Sequence, residues 1–443
     1  MPVAGGTDIS HCVRSQASIS DGWLGVDAVR DAQARTADLV RRTPVLTSRT
    51  LSDGCGGSVL LKAENLQRTG SFKLRGALAK VDRIAAAAAG AGVVAGSAGN
   101  HGQSLAYAAR ARGLACEVFM PTEAPLSKAA AVRGFGGMVH LGGTSVDACV
   151  ARARERAEET GAVFVHPFDD AEIVAGQGTL GLELLDEVPD LAMVVVPVGG
   201  GGLMSGVAGV IRAARPDVRI LGVQAQACSA YPASLDGGIP VEVEGKPTIA
   251  DGIAIKRPGA LTLPLVAEWV DEFVAVGEDE IADAMVMLLE RAKLVVEGGG
   301  AVGVAALRTG LVTPAPQGST VVVLSGGNVD AGVLAGIARR NETAQGRRMR
   351  LFTRIDDRPG GLARLLAQVA DAGGNLITVN HLREAVPLHV RETGVDLVLE
   401  TRGEDHAAAI VAALVDAGYE VERFDGNGRL AAHPGAAAPQ APA

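Results

Sequence analysis

Between Val26 and Val323 short β-branched runs recur along the chain, separated by stretches of helical periodicity. The runs include Val93–Ala95, Cys116–Phe119, Met138–His140, Met193–Pro197, Ile220–Gln224 and Thr320–Leu324. The helical stretches include Leu24–Arg42, Ser104–Arg112, Ser145–Thr160 and Asp279–Lys293. Strands alternating with helices imply a parallel sheet covered on both faces, hence an α/β fold. A span of about 300 residues is long for one doubly wound sheet, so two α/β lobes with a cleft between them are expected. Aromatic residues are only 3% of the chain, so the cores must be built from Ala, Val, Leu and Ile.

The pattern changes after the polar run Arg339–Arg348, which reads as a linker over 341–348. The spacing then predicts strands at Met349–Ile355, Asn375–Leu382, Gly394–Glu400 and Glu420–Phe424, with helices at Gly360–Ala372 and His406–Ala417. That βαββαβ order is the ferredoxin-like split unit, placed at 349–425. Residues 1–22 are expected to be flexible and 426–443, rich in Ala, Pro and Gly, to be disordered. The main body is read as 23–340, with a small lobe at about 58–165 inserted in a large one.

A net charge of −9 argues against nucleic acid as a partner, because phosphate backbones demand a basic face. The five cysteines, Cys12, Cys55, Cys116, Cys149 and Cys228, form no C-x-x-C pair and suggest neither zinc nor a disulfide framework. Met1–Ser20 has no apolar signal region, which points to the cytoplasm. The most hydrophobic stretch, Val194–Ile211, contains six glycines and a proline, and reads as strand, turn and helix start rather than a membrane span.

Four segments carry candidate chemistry. In T-G-S-F-K-L-R-G-A (Thr69–Ala77), Lys73 opens a helix, where positive potential favours the neutral, nucleophilic amine. By itself it also fits a solvated surface lysine. S-A-G-N-H-G-Q (Ser97–Gln103) follows a strand, and its helix N-terminus can hold an anion. His101 there is either a base or a structural histidine. P-V-G-G-G-G-L (Pro197–Leu203) brings backbone close to an anion, yet has neither the lysine of a Walker loop nor a dinucleotide fingerprint. A phosphorylated cofactor is therefore the candidate, and a tight glycine turn that serves packing alone is the alternative. L-S-G-G-N (Leu324–Asn328) ends a strand and delivers Ser325 towards a cleft.

In this order, E-N-L-Q-R-T-G-S-F-K-L-R-G-A (Glu64–Ala77), S-A-G-N-H-G-Q, the tetraglycine loop and S-G-G-N resemble the fold-type II pyridoxal-phosphate (PLP) enzymes. Their large and small lobes are tryptophan synthase β-like. Within them the chain is most similar to the threonine/serine dehydratases, or threonine ammonia-lyases, over roughly residues 25–340. T-P-V-L (Thr43–Leu46), T-I-A-D-G (Thr248–Gly252) and K-L-V-V-E-G (Lys293–Gly298) also match. The resemblance implies PLP as cofactor, with Lys73 as Schiff-base lysine and general base. It implies Phe72 against the ring, Asn100 on the ring hydroxyl, and Gly199, Gly200, Gly201, Gly202 and Leu203 around the phosphate. Ser325 would face the pyridine nitrogen. Ser71 and the stretch Ser97, Ala98, Gly99, Asn100 and His101 would cradle the substrate carboxylate. A neutral Ser325 does not enforce ring protonation, and the weaker electron sink is expected to favour prompt loss of the β-hydroxyl.

The implied reaction converts L-threonine to 2-oxobutanoate and ammonia, with L-serine to pyruvate beside it. Serine racemases carry a second, basic serine where this chain has Ala98, which disfavours racemisation. Gln226 and Pro232 stand where some relatives have metal-binding carboxylates, so no metal is expected. A hydroxyaspartate dehydratase is a further alternative, and a non-catalytic amino-acid sensor is the alternative of another class. Retention of Lys73 with all three cofactor loops argues against the sensor. Residues about 349–425 resemble an ACT domain through I-D-D-R-P-G-G-L (Ile355–Leu362) and G-G-N-L-I-T-V-N-H-L-R (Gly373–Arg383). That resemblance implies an amino-acid or nucleotide effector and a homo-oligomer, dimer or tetramer. Relatives tend to carry H-D-R where this chain has His381, Leu382 and Arg383, so effector identity is not carried over.

Overall fold

Short apolar runs in this chain become strands between turn-forming residues, and those at the centre of the parallel sheets are buried along nearly their whole length. The computed structural model describes residues 23–87, 90, 92–383 and 389–424. The expectations for 1–22, Cys12 included, and for 426–443 lie outside the described residues. Contacts divide the chain into two units, one ending at Asp330 and the other starting at Ala331.

In the first unit the strands run in chain order β1 (Val45–Thr47), β2 (Ser58–Lys62), β3 (Val93–Gly96), β4 (Cys116–Met120), β5 (Met138–Leu141), β6 (Val163–Phe164), β7 (Leu191–Pro197), β8 (Arg219–Ala225), β9 (Glu272–Val276) and β10 (Ser319–Val323). They form two sheets: a six-stranded sheet ordered β1-β2-β10-β7-β8-β9 and a four-stranded sheet ordered β5-β4-β3-β6. All neighbours are parallel except the edge pair β1–β2. The expected two-lobed α/β architecture is thus present, with a core around each sheet. The small lobe does not begin near residue 58, because β2 pairs in parallel with β10 and belongs to the large sheet. The pairing explains why: Ser58–Lys62 alternates into the large-lobe core, and its Lys62 is buried there beside Glu183.

The second unit starts with a helix, Ala331–Ala344. The run Arg339–Arg348 is therefore not the extended linker its polarity suggested. Its first six residues are helical, and Ile337 and Asn341 are buried. Four strands follow, β11 (Arg348–Asp356), β12 (Asn375–Leu382), β13 (Glu392–Glu400) and β14 (Val421–Phe424). Their antiparallel order β12-β13-β11-β14, with helices Gly361–Asp371 and Glu404–Asp416, is the expected ferredoxin-like βαββαβ arrangement. Its core is Met349, Leu351, Ile355, Leu365, Val395, Leu397 and their neighbours.

The four described cysteines are free. No helix among the described residues is long and apolar enough to cross a membrane.

Candidate active site

The lysine loop and the serine loop are one structure. Phe72 N donates to Ser325 O at 3.0 Å, Gly327 N donates to Gly70 O at 2.8 Å, and Ser71 and Gly326 form an antiparallel bridge. Gly70 has φ +75°, and an added Cβ would sit 2.2 Å from Asn328 Oδ1. Only glycine allows that turn to close. Lys73 is then the first residue of the helix Lys73–Ala87. A buried ion cluster anchors this helix two residues on. Arg75 donates to both carboxylate oxygens of Glu64, each at 2.8 Å, and to Glu183 at 2.7 and 2.9 Å.

The amine of Lys73 donates to Pro167 O at 2.8 Å, and lies 5.2 Å from the Phe72 ring centroid. Pro167 leads into Phe168, whose ring fills the space beside the tetraglycine loop: a Cβ on Gly200 would lie 2.4 Å from it. Gly201 has φ +96°, and a Cβ there would collide with Tyr231 Oη at 1.9 Å. The loop ends as the helix Gly202–Ala214, which is buried at its start and has no side-chain cap. Helix geometry leaves its first N–H groups without internal acceptors, so a buried end of this kind is suited to an anion. Asp169 caps the nearby helix Thr262–Trp269, accepting from Ala260, Leu261 and Thr262 N–H.

Ser97 Oγ accepts from Gly99 N at 3.2 Å and Gly102 N at 3.1 Å. Both lone pairs are engaged, so its own hydrogen is directed elsewhere and remains a donor. Ala98 supplies only a methyl group. His101 does not fit the role of a base: its Nε2 meets Val165 O at 2.9 Å, and burial drives its pKa down to about 3, with the Lys73 charge adding to the effect. It is the structural histidine of the two alternatives. Asn100 is held at both ends, its Nδ2 donating to Glu297 Oε1 at 2.6 Å and its Oδ1 accepting from Asn328 Nδ2 at 2.8 Å. Ser325 is buried and makes a long contact, 3.5 Å, to Gly299 O. Ser71 Oγ is buried with no hydrogen-bond partner among the described residues.

Burial sets the electrostatics. It pulls the Lys73 amine down to about 8, while the Glu297 charge pulls the other way. Burial, with the Asp251 charge, pushes the Glu297 carboxyl up to about 7, against Lys128 and its hydrogen bonds. His166 falls to about 4, again mainly through burial. The low Lys73 value therefore comes first from desolvation, with the Glu297 charge opposing it.

Residues 36–327 match the family model described as "Pyridoxal-phosphate dependent enzyme". That match covers well over half of the chain. The chain belongs to the pyridoxal-phosphate dependent enzyme family. It is 46% identical over 398 residues to an L-threonine ammonia-lyase of Thermotoga maritima, covering 90% of this chain and 99% of that protein. Among solved structures, a threonine deaminase from T.th. is 40% identical with a TM-score of 0.65, over 69% of this chain and 99% of that one. Maize serine racemase is 36% identical with a TM-score of 0.68, over 72% of this chain and 97% of that one.

The cofactor of this family member is pyridoxal 5'-phosphate, and the residues present fit it. A half-buried amine with a lowered pKa suits attachment to an aldehyde, and the uncapped buried helix end suits a phosphate. Four functional contributors escaped the sequence reading: Pro167 and Phe168, which link the amine to the glycine loop, and Glu297 and Asn328, which hold Asn100. The last two lie inside motifs already noted, K-L-V-V-E-G and S-G-G-N, but nothing in their spacing shows that they meet at one amide.

Proposed function

We propose that this protein is an L-threonine ammonia-lyase. It converts L-threonine to 2-oxobutanoate and ammonia, and L-serine to pyruvate and ammonia. The observation that carries the reading is the half-buried amine of Lys73, drawn to about 8, with a methyl group at position 98 where a racemase has a second base. When bound, PLP supplies the electron sink that accepts the electrons of the Cα–H bond. Lys73 holds the cofactor and, once released, takes the Cα proton. The N–H groups opening Gly202–Ala214 would hold the phosphate, and Phe72 would pack the ring. Asn100 would donate to the ring oxygen, and Ser325 would face the ring nitrogen without a negative charge. Ser71, Ser97 and the N–H groups of the loop 97–101 bind the substrate carboxylate.

One-base chemistry also gives a direct test. Purified holoenzyme incubated with L-threonine, L-serine or 3-hydroxyaspartate should release keto acid from the first fastest. Formation of D-serine as the main product would sink the reading.

Regulation is a second reading, supported by a cavity of about 580 Å³ within the C-terminal unit. Asp357, Arg358, Gly360, His381 and Arg383 line it, and Arg383 pairs with Asp357 at 2.9 Å. The N-terminus of the helix Gly361–Asp371 and the arginines suit an amino-acid carboxylate. Titration calorimetry with isoleucine, valine and AMP tests it, and absence of binding by all three would remove it. A dimer or tetramer in the cytoplasm completes this reading and rests on the resemblance alone.

A further inference from the structure

We propose that Glu297 is a positioning residue for the cofactor ring: through Asn100 it fixes the amide that meets the ring oxygen, and its ionisation is read out in the cofactor's visible absorbance. The inference rests on the placement of Asn100 at the ring given above. Glu297 is only 5% exposed, and its Oε1 is 2.6 Å from Asn100 Nδ2. Asn328 Nδ2 donates both to Asn100 Oδ1 and to Thr69 O, each at 2.8 Å. That second bond fixes which end of Asn328 is the donor, and so which end of Asn100 accepts. The Asn100 amide can therefore take only one orientation, leaving one N–H for the ring oxygen. The glycines around the carboxyl are part of the arrangement. A Cβ on Gly326 would lie 2.3 Å from Glu297 Oε1, and one on Gly252 would lie 3.3 Å away.

A neutral glutamine would make the same contact with Asn100, so the carboxyl adds something beyond shape. What it adds is a charge that switches near neutral pH, since burial holds the group at about 7. The charged and polar groups that set this value come from several elements. Asp251 raises it, Lys128 from the helix Leu126–Gly134 lowers it, and the Asn100 side chain and Asn328 N–H lower it. Lys73, from its own helix, feels the carboxylate charge. Lys128 and Asp251 pair at 2.5 Å, and Asp251 is half exposed with its side chain at 55%. Below the midpoint Glu297 is neutral and Asn100 donates to a weak acceptor. Above it the carboxylate polarises the amide and so strengthens the remaining N–H towards the ring oxygen.

The test is a pH titration of the visible band of resting holoenzyme, without substrate. Wild type should show a transition with a midpoint near 7. Glu297→Gln should lose it while retaining bound cofactor, and Glu297→Asp should keep one at a moved midpoint. Asp251→Asn removes the raising charge and frees Lys128, so the midpoint should fall by about one unit. Lys128→Met should move it up. Both pair variants act at a distance and serve if Glu297→Gln fails to fold. An identical transition in wild type and Glu297→Gln, or a midpoint indifferent to both Asp251→Asn and Lys128→Met, would overturn the proposal. Because no substrate is present, loss of threonine turnover with an intact titration would count against the proposed reaction and leave Glu297 standing.

Discussion

Lys73 Nζ lies 2.8 Å from the carbonyl oxygen of Pro167, at the junction between the lysine loop and the segment that packs Phe168 onto the tetraglycine turn. One hydrogen bond thus aligns the amine with the site read as the phosphate cradle. Lys73→Ala should abolish covalent retention of the cofactor and lower keto-acid release by at least about 10³-fold, as loss of attachment and base together demands. Borohydride trapping followed by peptide mass mapping checks this. An adduct on another residue of active enzyme would refute it.

Cofactor uptake by the apo-protein should depend on pH through the same amine. Lys73 is depressed to about 8 by burial, so it is charged below that pH and neutral above it. Only the neutral form attacks an aldehyde. The rate of reconstitution should rise with pH up to about 8 and then level. Stopped-flow absorbance across that range measures it, and a rate that is flat from about pH 6 to about pH 9, bounds that bracket the lowered value, would contradict the assignment.

Gly201→Ala should lose cofactor. The new Cβ would meet Tyr231 Oη at 1.9 Å on a backbone at φ +96°, which L-residues rarely adopt. The strain moves the N–H groups that open Gly202–Ala214. Dialysis followed by absorbance should show weaker PLP retention in Gly201→Ala than in wild type, with Gly161→Ala as a control. Gly161 also has a positive φ, but an added Cβ there would meet nothing within 4 Å.

Much of this was legible in the chain. The alternation of runs gave the parallel sheets, because a buried strand has to be apolar and a crossover helix has to separate it from the next. The glycine run marked an anion turn for a local reason, namely the missing side chains. Ser58–Lys62 was not recognised as a large-sheet strand, since its place depends on pairing with the distant β10. Arg339–Ala344 seemed a linker because polarity alone cannot distinguish an exposed helix face from a loop. Glu297 and Pro167 are unremarkable in sequence, and their significance comes from the side chains that the fold brings to within hydrogen-bonding distance of them.

Arg75 should matter for stability rather than chemistry. It satisfies two buried carboxylates, Glu64 and Glu183, and is itself fully buried. Arg75→Met would leave both acids without their guanidinium, which costs about 3–5 kcal/mol for a broken buried pair. Burial pushes the Glu64 carboxyl up, but the Arg75 charge and hydrogen bonds outweigh it and hold the group below its usual range. A depressed carboxylate stabilises the fold above its unfolded pKa and loses that contribution as pH falls through the folded one. Wild type should therefore lose stability as the solution is acidified below about pH 4.5, and Arg75→Met should show a flatter acid limb. Thermal melts as a function of pH test both points. An unchanged Tm in Arg75→Met would show the cluster to be dispensable.

Ser325 lies two residues beyond the end of β10, buried, with only its hydroxyl to offer a ring nitrogen. In the role proposed for Ser325, a hydroxyl would leave that nitrogen without a compensating charge, an arrangement expected to favour prompt departure of the β-hydroxyl. Ser325→Asp would place an anion there and favour a protonated ring, a stronger sink that holds the carbanion longer. Elimination from L-threonine should slow by about 10-fold or more, and exchange of the Cα proton with solvent deuterium should gain relative to keto-acid release. Keto-acid assays run alongside proton NMR in deuterated buffer measure the two rates. The expected signature is a fall in the ratio of elimination to exchange, because simple damage to the site would lower both together. Equal losses in exchange and elimination, or unchanged turnover, would mean that the residue facing the nitrogen does not set the fate of the carbanion.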